Sequence, residues 1–166
     1  MVIGIPKEIK NNEHRISLLP FGVDELKKSK HTILIENNAG LGSGFTNQNY
    51  IDAGANIVNS SREIFDSSDI IVKVKEPQKN ELNMIKKGQI IFTYFHFAAD
   101  YELTKSIIKS QAIAIAYETV QKDDGSLPLL TPMSEVAGRM AVQNGAKCLE
   151  ENMGGKGKLL SGVPGV

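Results

Sequence analysis

Three basic side chains, Arg15, Lys75 and His96, stand where a side chain can reach a ligand. Each follows or ends an apolar run typical of a strand, and in α/β sheets such positions surround the ligand crevice. A guanidinium can hold a carboxylate through two parallel hydrogen bonds, and a lysine ammonium can polarise a carbonyl oxygen. An imidazole exchanges protons near neutral pH. Together the three residue types suit a small substrate that carries a carboxylate and a carbonyl group.

Each of the three has an alternative interpretation. Arg15 lies in a polar loop, where a solvated arginine would by itself be favoured. Lys73 shares the predicted strand face of Lys75 and is the competing choice for a ligand-facing lysine. A hydrogen-bonded structural histidine explains His96 as well as a proton carrier does.

The elements that place these side chains follow from the spacing of apolar residues. The predicted strands are 2–5, 32–35, 70–74, 90–95 and 112–116. The predicted helices are 22–28, 80–86 and 101–109, the third capped by Asp100. Several strands are apolar at successive positions, which is typical of a parallel sheet covered by helices on both faces. The predicted fold class is therefore α/β.

The composition excludes several other classes of protein. With 166 residues, 41% hydrophobic and 23% charged, the chain has the character of one globular domain. Its 19 basic and 19 acidic residues balance, so neither a nucleic acid nor a membrane is expected as a partner. No apolar run reaches the roughly 18 residues of a membrane span, and the start is too short for a signal peptide.

The cysteine and histidine residues bear on the cellular location and on metal binding. The single cysteine, Cys148, has no partner for an internal disulfide, which favours a reducing, cytoplasmic location. The spacing of the three histidines and Cys148 matches no zinc motif, so no metal is predicted. The glycines of 40–44 lack the third glycine of a dinucleotide fingerprint, and those of 154–158 fail the P-loop spacing. We interpret the first run as a flexible turn and the second as a linker.

The last third of the chain has a different organisation. From Pro132 a long helical pattern, capped by Thr131 or Ser134, continues until two glycines end it. Residues 159–166 are apolar and punctuated by Gly and Pro, as in an interrupted sequence. The predicted organisation is a substrate-binding domain over 1–130, a connecting helix over 131–153, and over 154–166 the start of a linker into an absent NAD-binding domain.

Several blocks of the sequence resemble the alanine dehydrogenase family. The strongest are the opening residues 4–8 with 13–15 and the run 72–77. Similar blocks are 40–44, 92–99, 116–120 and 132–139. A related protein, the transhydrogenase alpha subunit, does not normally combine a Lys-Glu-Pro run with a strand-end histidine. Lys75 and His96 therefore favour the dehydrogenase.

The resemblance implies a flavodoxin-like or Rossmann-like parallel sheet with helices on both faces, the substrate domain of a two-domain dehydrogenase. It implies NAD-dependent, reversible oxidative deamination of L-alanine to pyruvate and ammonia by a homo-oligomer, typically a hexamer. The family's chain is more than twice as long, and its nucleotide fingerprint and catalytic aspartate follow the point where this sequence ends. The 166 residues alone are expected to be inactive.

The resemblance also assigns roles to individual residues. Arg15 would bind the substrate carboxylate, Lys75 would contact the carboxylate or carbonyl oxygen, and His96 would be the acid/base. Met133 would lie beside the substrate, and Ser134 would touch the nicotinamide cofactor. Two other hypotheses stay open: a stand-alone small-molecule binding domain without redox chemistry, and a fragment of a transhydrogenase-like subunit.

Overall fold

The computed structural model describes residues 1–165 and contains a six-stranded parallel sheet. The strands are β1 (Val2–Ile5), β2 (Thr32–Glu36), β3 (Asn56–Val58), β4 (Ile70–Lys75), β5 (Ile90–Tyr94) and β6 (Ile113–Ala116). Their spatial order is β3-β2-β1-β4-β5-β6, and each neighbouring pair is parallel. This is the Rossmann strand order, in which the sheet grows one way from β1 and then the other way from β4. The predicted α/β parallel sheet is confirmed.

Within residues 1–165, six α-helices accompany the sheet. They are α1 (Pro20–Lys28), α2 (Asn47–Asp52), α3 (Ser61–Ser67), α4 (Lys79–Leu82), α5 (Tyr101–Ser110) and α6 (Thr131–Cys148). The Asp100 carboxylate accepts the Leu103 amide at 2.9 Å, so the predicted cap of α5 is confirmed. The predicted helix over 80–86 is only the short α4, and β3, α2 and α3 were not predicted.

The core lies on both faces of the sheet. Side chains alternate along β2, so that Leu34 packs in one cluster while Ile33 and Ile35 pack in the other. The Leu34 cluster includes residues of α3 and α5, and the second cluster includes residues of α1 and α2. Helices therefore cover both faces, as the runs of successive apolar residues predict.

The chain divides into two compact units, Met1–Thr119 and Val120–Val166. The first contains the whole sheet. The second contains α6, which has no buried residue and ends at Cys148. A short 3-10 turn, Glu151–Met153, follows it, so the α-helix ends before residue 153. The predicted domain boundary at residue 130 stays a prediction.

The prediction that Thr131 or Ser134 caps α6 is wrong. The N-cap residue is Leu130, and no side chain caps the helix. The Thr131 hydroxyl instead donates to the Leu127 carbonyl at 2.9 Å. Pro132 explains the start, because proline needs no hydrogen-bond partner for a backbone N–H in the first turn of a helix.

Three features of the described residues bear on other functions. Within residues 1–165, no helix combines the length and apolar character that a membrane crossing requires. The same residues contain no group of three His, Cys, Asp or Glu side chains placed to hold a metal ion. Cys148 is an exposed free thiol.

Candidate active site

The three candidate residues lie at one edge of the sheet. Arg15 is in the connection from β1 to α1, Lys75 ends β4, and His96 follows the end of β5. The strands β1, β4 and β5 are neighbours in the sheet, and all run in the same direction. Their carboxyl ends therefore meet at one edge, beside the point where the strand order reverses and where open α/β sheets bind ligands.

Arg15 is oriented by a carboxylate from its own loop. Its Nε donates to Glu13 Oε1 at 2.8 Å, and its Nη2 donates to Oε2 at 2.6 Å. The hydrogen bond from Arg15 lowers the pKa of Glu13 to about 2, and the Lys75 ammonium adds to that effect. The Glu13 side chain is 7% exposed and that of Arg15 is 45% exposed. The guanidinium is thus fixed in direction and still reaches solvent.

A glycine turn supports the Arg15 loop. Gly42 lies in a 3-10 turn, and a Cβ there would meet the His14 carbonyl oxygen at 2.4 Å. The Ser43 hydroxyl donates to the same oxygen at 3.2 Å. Glycine is required because the two backbones approach so closely. The predicted turn therefore packs against the loop that contains Arg15. A cavity of about 180 Å³ lies beside it and is lined in part by Arg15 and Glu13.

Burial decides between Lys73 and Lys75 as the ligand-facing lysine. The Lys73 side chain is 0% exposed, and its Nζ lies 3.1 Å from Glu8 Oε2 and 2.9 Å from Glu81 Oε1. An ammonium held between two buried carboxylates is part of the core. Lys75 is half-buried, which leaves it as the candidate that a ligand can reach.

Glu8 also holds the end of β4. Its Oε1 accepts the amide of Val74 at 2.6 Å and that of Lys75 at 3.3 Å. Burial raises the pKa of Glu8, although the Lys73 ammonium opposes the shift. The carboxylate therefore connects the loop after β1 to the backbone of Lys75.

His96 has an unusual backbone conformation. Its φ of 52° and ψ of 41° are left-handed, and the side chain is exposed. Both its amide and that of Phe95 donate to the carboxylate of Glu118, just beyond β6. A cavity of about 420 Å³ is lined by His96 together with Glu118 and small alanine side chains. An exposed imidazole suits a group that exchanges protons with a ligand, and the choice between a proton carrier and a hydrogen-bonded structural histidine stays a prediction.

Tyr94, the last residue of β5, neighbours Lys75 of β4 and also Tyr117, which follows β6. It pairs with Lys75 in the register of β4 and β5, and its ring contacts that of Tyr117 at a centroid distance of 4.8 Å. Burial raises the pKa of Tyr94, while the nearby Arg15 charge opposes the shift. Tyr94 was not among the predicted site residues, because inside an apolar strand it resembles any other core aromatic.

Met133 and Ser134 belong to the second compact unit. Both lie in the first turn of α6, and both are exposed. Their roles beside substrate and cofactor stay predictions.

The match to a family model decides the identity of the chain. Residues 4–137 match the model described as "Alanine dehydrogenase/PNT, N-terminal domain". The chain belongs to the alanine dehydrogenase/PNT family. Residues 4–137 include all five candidate residues, as well as Glu8 and Glu118.

Similar proteins of this family are named alanine dehydrogenases. Alanine dehydrogenases of Methanococcus maripaludis and Staphylococcus saprophyticus are each 54% identical over 166 residues. Each match covers all of this chain and 44% of the relative. The chain therefore spans less than half the length of these relatives.

Structural comparison favours the dehydrogenase branch over the transhydrogenase branch. A solved structure named L-alanine dehydrogenase superposes on this chain with a TM-score of 0.88 and a sequence identity of 51%. The match covers all of this chain and 46% of the chain in that structure. A transhydrogenase from Sinorhizobium meliloti gives a TM-score of 0.67 and 25% identity, covering 71% of this chain and 35% of its own. The predicted family is confirmed.

The buried ion pairs of Lys73 with Glu8 and Glu81 predict that the loss of Lys73 destabilises the protein. Replacing Lys73 with methionine keeps most of the aliphatic volume but leaves Glu8 and Glu81 without their shared cation. Breaking a buried ion pair by removing one partner costs about 3–5 kcal/mol. We expect a loss of that size in the free energy of unfolding, measured with urea. The exposed Lys79→Met is the control, and an equal stability of the two variants would contradict the role of Lys73.

The Glu13–Arg15 pair predicts acid sensitivity. The folded pKa of Glu13, about 2, lies below the ordinary value of 4.5, so its stabilisation is complete above pH 4.5 and is lost as the pH falls towards 2. One extra proton bound by the unfolded state gives a slope of at most about 1.4 kcal/mol per pH unit. The stability advantage of the native chain over Glu13→Gln should therefore shrink between these two pH values. An advantage that stays constant from pH 7 to pH 3 would refute this assignment.

Proposed function

We propose that this chain is the substrate-binding half of an NAD-dependent alanine dehydrogenase, which reversibly deaminates L-alanine to pyruvate and ammonia. The observation that carries the proposal is that Arg15, Lys75 and His96 follow or end three adjacent parallel strands, at the same edge of the sheet. The names of the relatives support the choice of substrate. In the proposed reaction, L-alanine, water and NAD⁺ give pyruvate, ammonium, NADH and a proton.

Each of the three side chains has a distinct proposed task. Arg15 binds the substrate carboxylate through two parallel hydrogen bonds, in the orientation that Glu13 sets. Lys75 donates to the substrate oxygen and stabilises the negative charge that develops there. His96 takes a proton from the water that adds to the α-carbon and returns it in the reverse direction. Together the first two hold the α-carbon in place for reaction.

The described residues do not themselves form a dinucleotide cradle. The connection from β1 to α1 contains no Gly-x-Gly-x-x-Gly run, which is the pattern that lets a backbone approach a pyrophosphate. NAD would accept the hydride of the α-carbon. In this proposal the principal NAD domain corresponds to the part of the relatives that this chain does not match. Ser134 touches the nicotinamide, and Met133 lies beside the substrate.

The location, the assembly and the domain organisation of the whole enzyme are proposed as well. We propose a cytoplasmic homo-oligomer, with 1–130 as the substrate domain, 131–153, which contains α6, as the connecting segment and 154–166 as the start of a linker into an NAD-binding domain. A binding domain without redox chemistry is the second candidate, because the described residues lack the cradle.

A chimeric enzyme separates these two functions. Residues 1–166 would replace the matching segment of the Methanococcus maripaludis alanine dehydrogenase, with which they are 54% identical. We expect the chimera to reduce NAD⁺ in the presence of L-alanine, measured by NADH absorbance. A folded chimera that binds NADH and pyruvate but does not oxidise alanine would support the binding domain instead.

A further inference from the structure

We propose that Glu118 is a positioning residue, whose carboxylate holds His96 in the left-handed backbone conformation that presents its imidazole. The proposal rests on the proposed acid/base role of His96. Glu118 itself donates no proton to substrate in this account and acts only through the backbone of its neighbour.

The contacts are short and converge on one carboxylate. Glu118 Oε1 accepts the amide of His96 at 2.7 Å and that of Phe95 at 3.1 Å. Its Oε2 also lies 3.3 Å from the Phe95 amide nitrogen. Hydrogen bonds to an ionised acceptor are about twice as strong as those between neutral groups. Two consecutive backbone amides therefore donate to one carboxylate, which belongs to the segment that follows β6.

The sheet explains why a side chain is needed at this place. The last register pair of β5 and β6 is Thr93 with Ala116, and the chain then turns into a 3-10 segment, Tyr117–Thr119. Beyond that pair, the Glu118 carboxylate accepts the Phe95 and His96 amides and extends the hydrogen bonding between the two chain segments. Without it, these amides would lose the acceptor that the structure gives them.

The conformation of His96 shows what this anchor achieves. A left-handed backbone is strained for a residue with a side chain and persists where surrounding contacts determine it. The Ala99 amide donates to the His96 carbonyl at 2.9 Å, which holds the other side of the same residue. Glu118 thus fixes the amide side of His96, and the 3-10 turn Phe97–Ala99 fixes the carbonyl side.

The test compares Glu118→Ala and Glu118→Gln in the 166-residue chain by nuclear magnetic resonance. In the native chain, we expect a strong intraresidue amide-to-α-proton cross peak at His96, as a positive φ requires, and a slowly exchanging amide. In Glu118→Ala, exchange at His96 should accelerate about tenfold or more, the size of a lost charged hydrogen bond. Gln keeps an acceptor oxygen and should largely restore both signals. Glu102→Ala, an exposed acid in α5, is the control.

Glu118→Asp keeps the proposal testable if Glu118→Ala fails to fold. Aspartate keeps the carboxylate but is one methylene group shorter, so it should no longer reach both amides, and exchange at His96 should accelerate there as well. Unchanged exchange at His96 in Glu118→Asp, or in a folded Glu118→Ala, would overturn the proposal. Because these signals need no turnover, a failure of the proposed acid/base chemistry would appear separately, in the activity of His96 variants.

Discussion

Replacing His96 with asparagine in the chimeric enzyme is expected to lower kcat by about 100- to 10,000-fold, the usual contribution of a general acid/base. Asparagine tolerates a left-handed backbone better than most residues, so the loop geometry is preserved. It cannot exchange a proton near neutral pH, so the chemical step loses its carrier. We expect His96→Ala to abolish turnover as well, with the fold intact by circular dichroism and the KM for pyruvate changed much less than kcat.

The matched control is His31→Ala, at the amino end of β2 and so at the opposite edge of the sheet. This variant should turn over like the native chimera. Turnover near the native rate in both His96 variants would remove His96 from the proposed mechanism and leave the interpretation as a structural histidine.

Replacing Arg15 with alanine is expected to act mainly on substrate binding. The loss of charged hydrogen bonds to a carboxylate should raise the pyruvate KM by roughly 10- to 150-fold. Because Lys75 and His96 come from other strands, kcat should change far less. Arg15→Lys keeps the charge but loses the planar pair of donors, so its KM should lie between those of the native protein and Arg15→Ala.

Arg62→Ala, an exposed arginine on α3, serves as the control for the general loss of a positive charge. An unchanged pyruvate KM in Arg15→Ala would show that the substrate carboxylate binds elsewhere. A fall in kcat without a change in KM would place Arg15 in the chemical step instead.

The strongest elements of the fold could be predicted because they depend on local patterns. The strands β4 and β5 each begin with three successive apolar residues, and α5 has an apolar stripe with an aspartate cap. The strand β3 has only three residues, and α2 has six, which is too few to establish a period. The end of α6 was also misplaced, because an exposed helix depends less on an apolar pattern.

The candidate site could be predicted only in part, for a related reason. Residue type and position after a strand single out Arg15, Lys75 and His96. Glu8 and Glu118 bind backbone amides that are 66 and 22 residues away in sequence. Such pairs leave no periodic signal in one sequence, since any carboxylate near a strand end could serve. The choice between Lys73 and Lys75 likewise required knowledge of which one is buried.

We propose that Arg15, Lys75 and His96 form a substrate half-site that binds pyruvate without a cofactor domain, and pyruvate calorimetry on the 166-residue chain tests this proposal most directly. The native chain, Lys75→Ala and the exposed control Lys79→Ala would be titrated with pyruvate, each with and without NADH. We predict binding in the native chain and in Lys79→Ala, its loss in Lys75→Ala, and no effect of NADH. Equal affinity in all three proteins, or no binding by any of them, would contradict the claim.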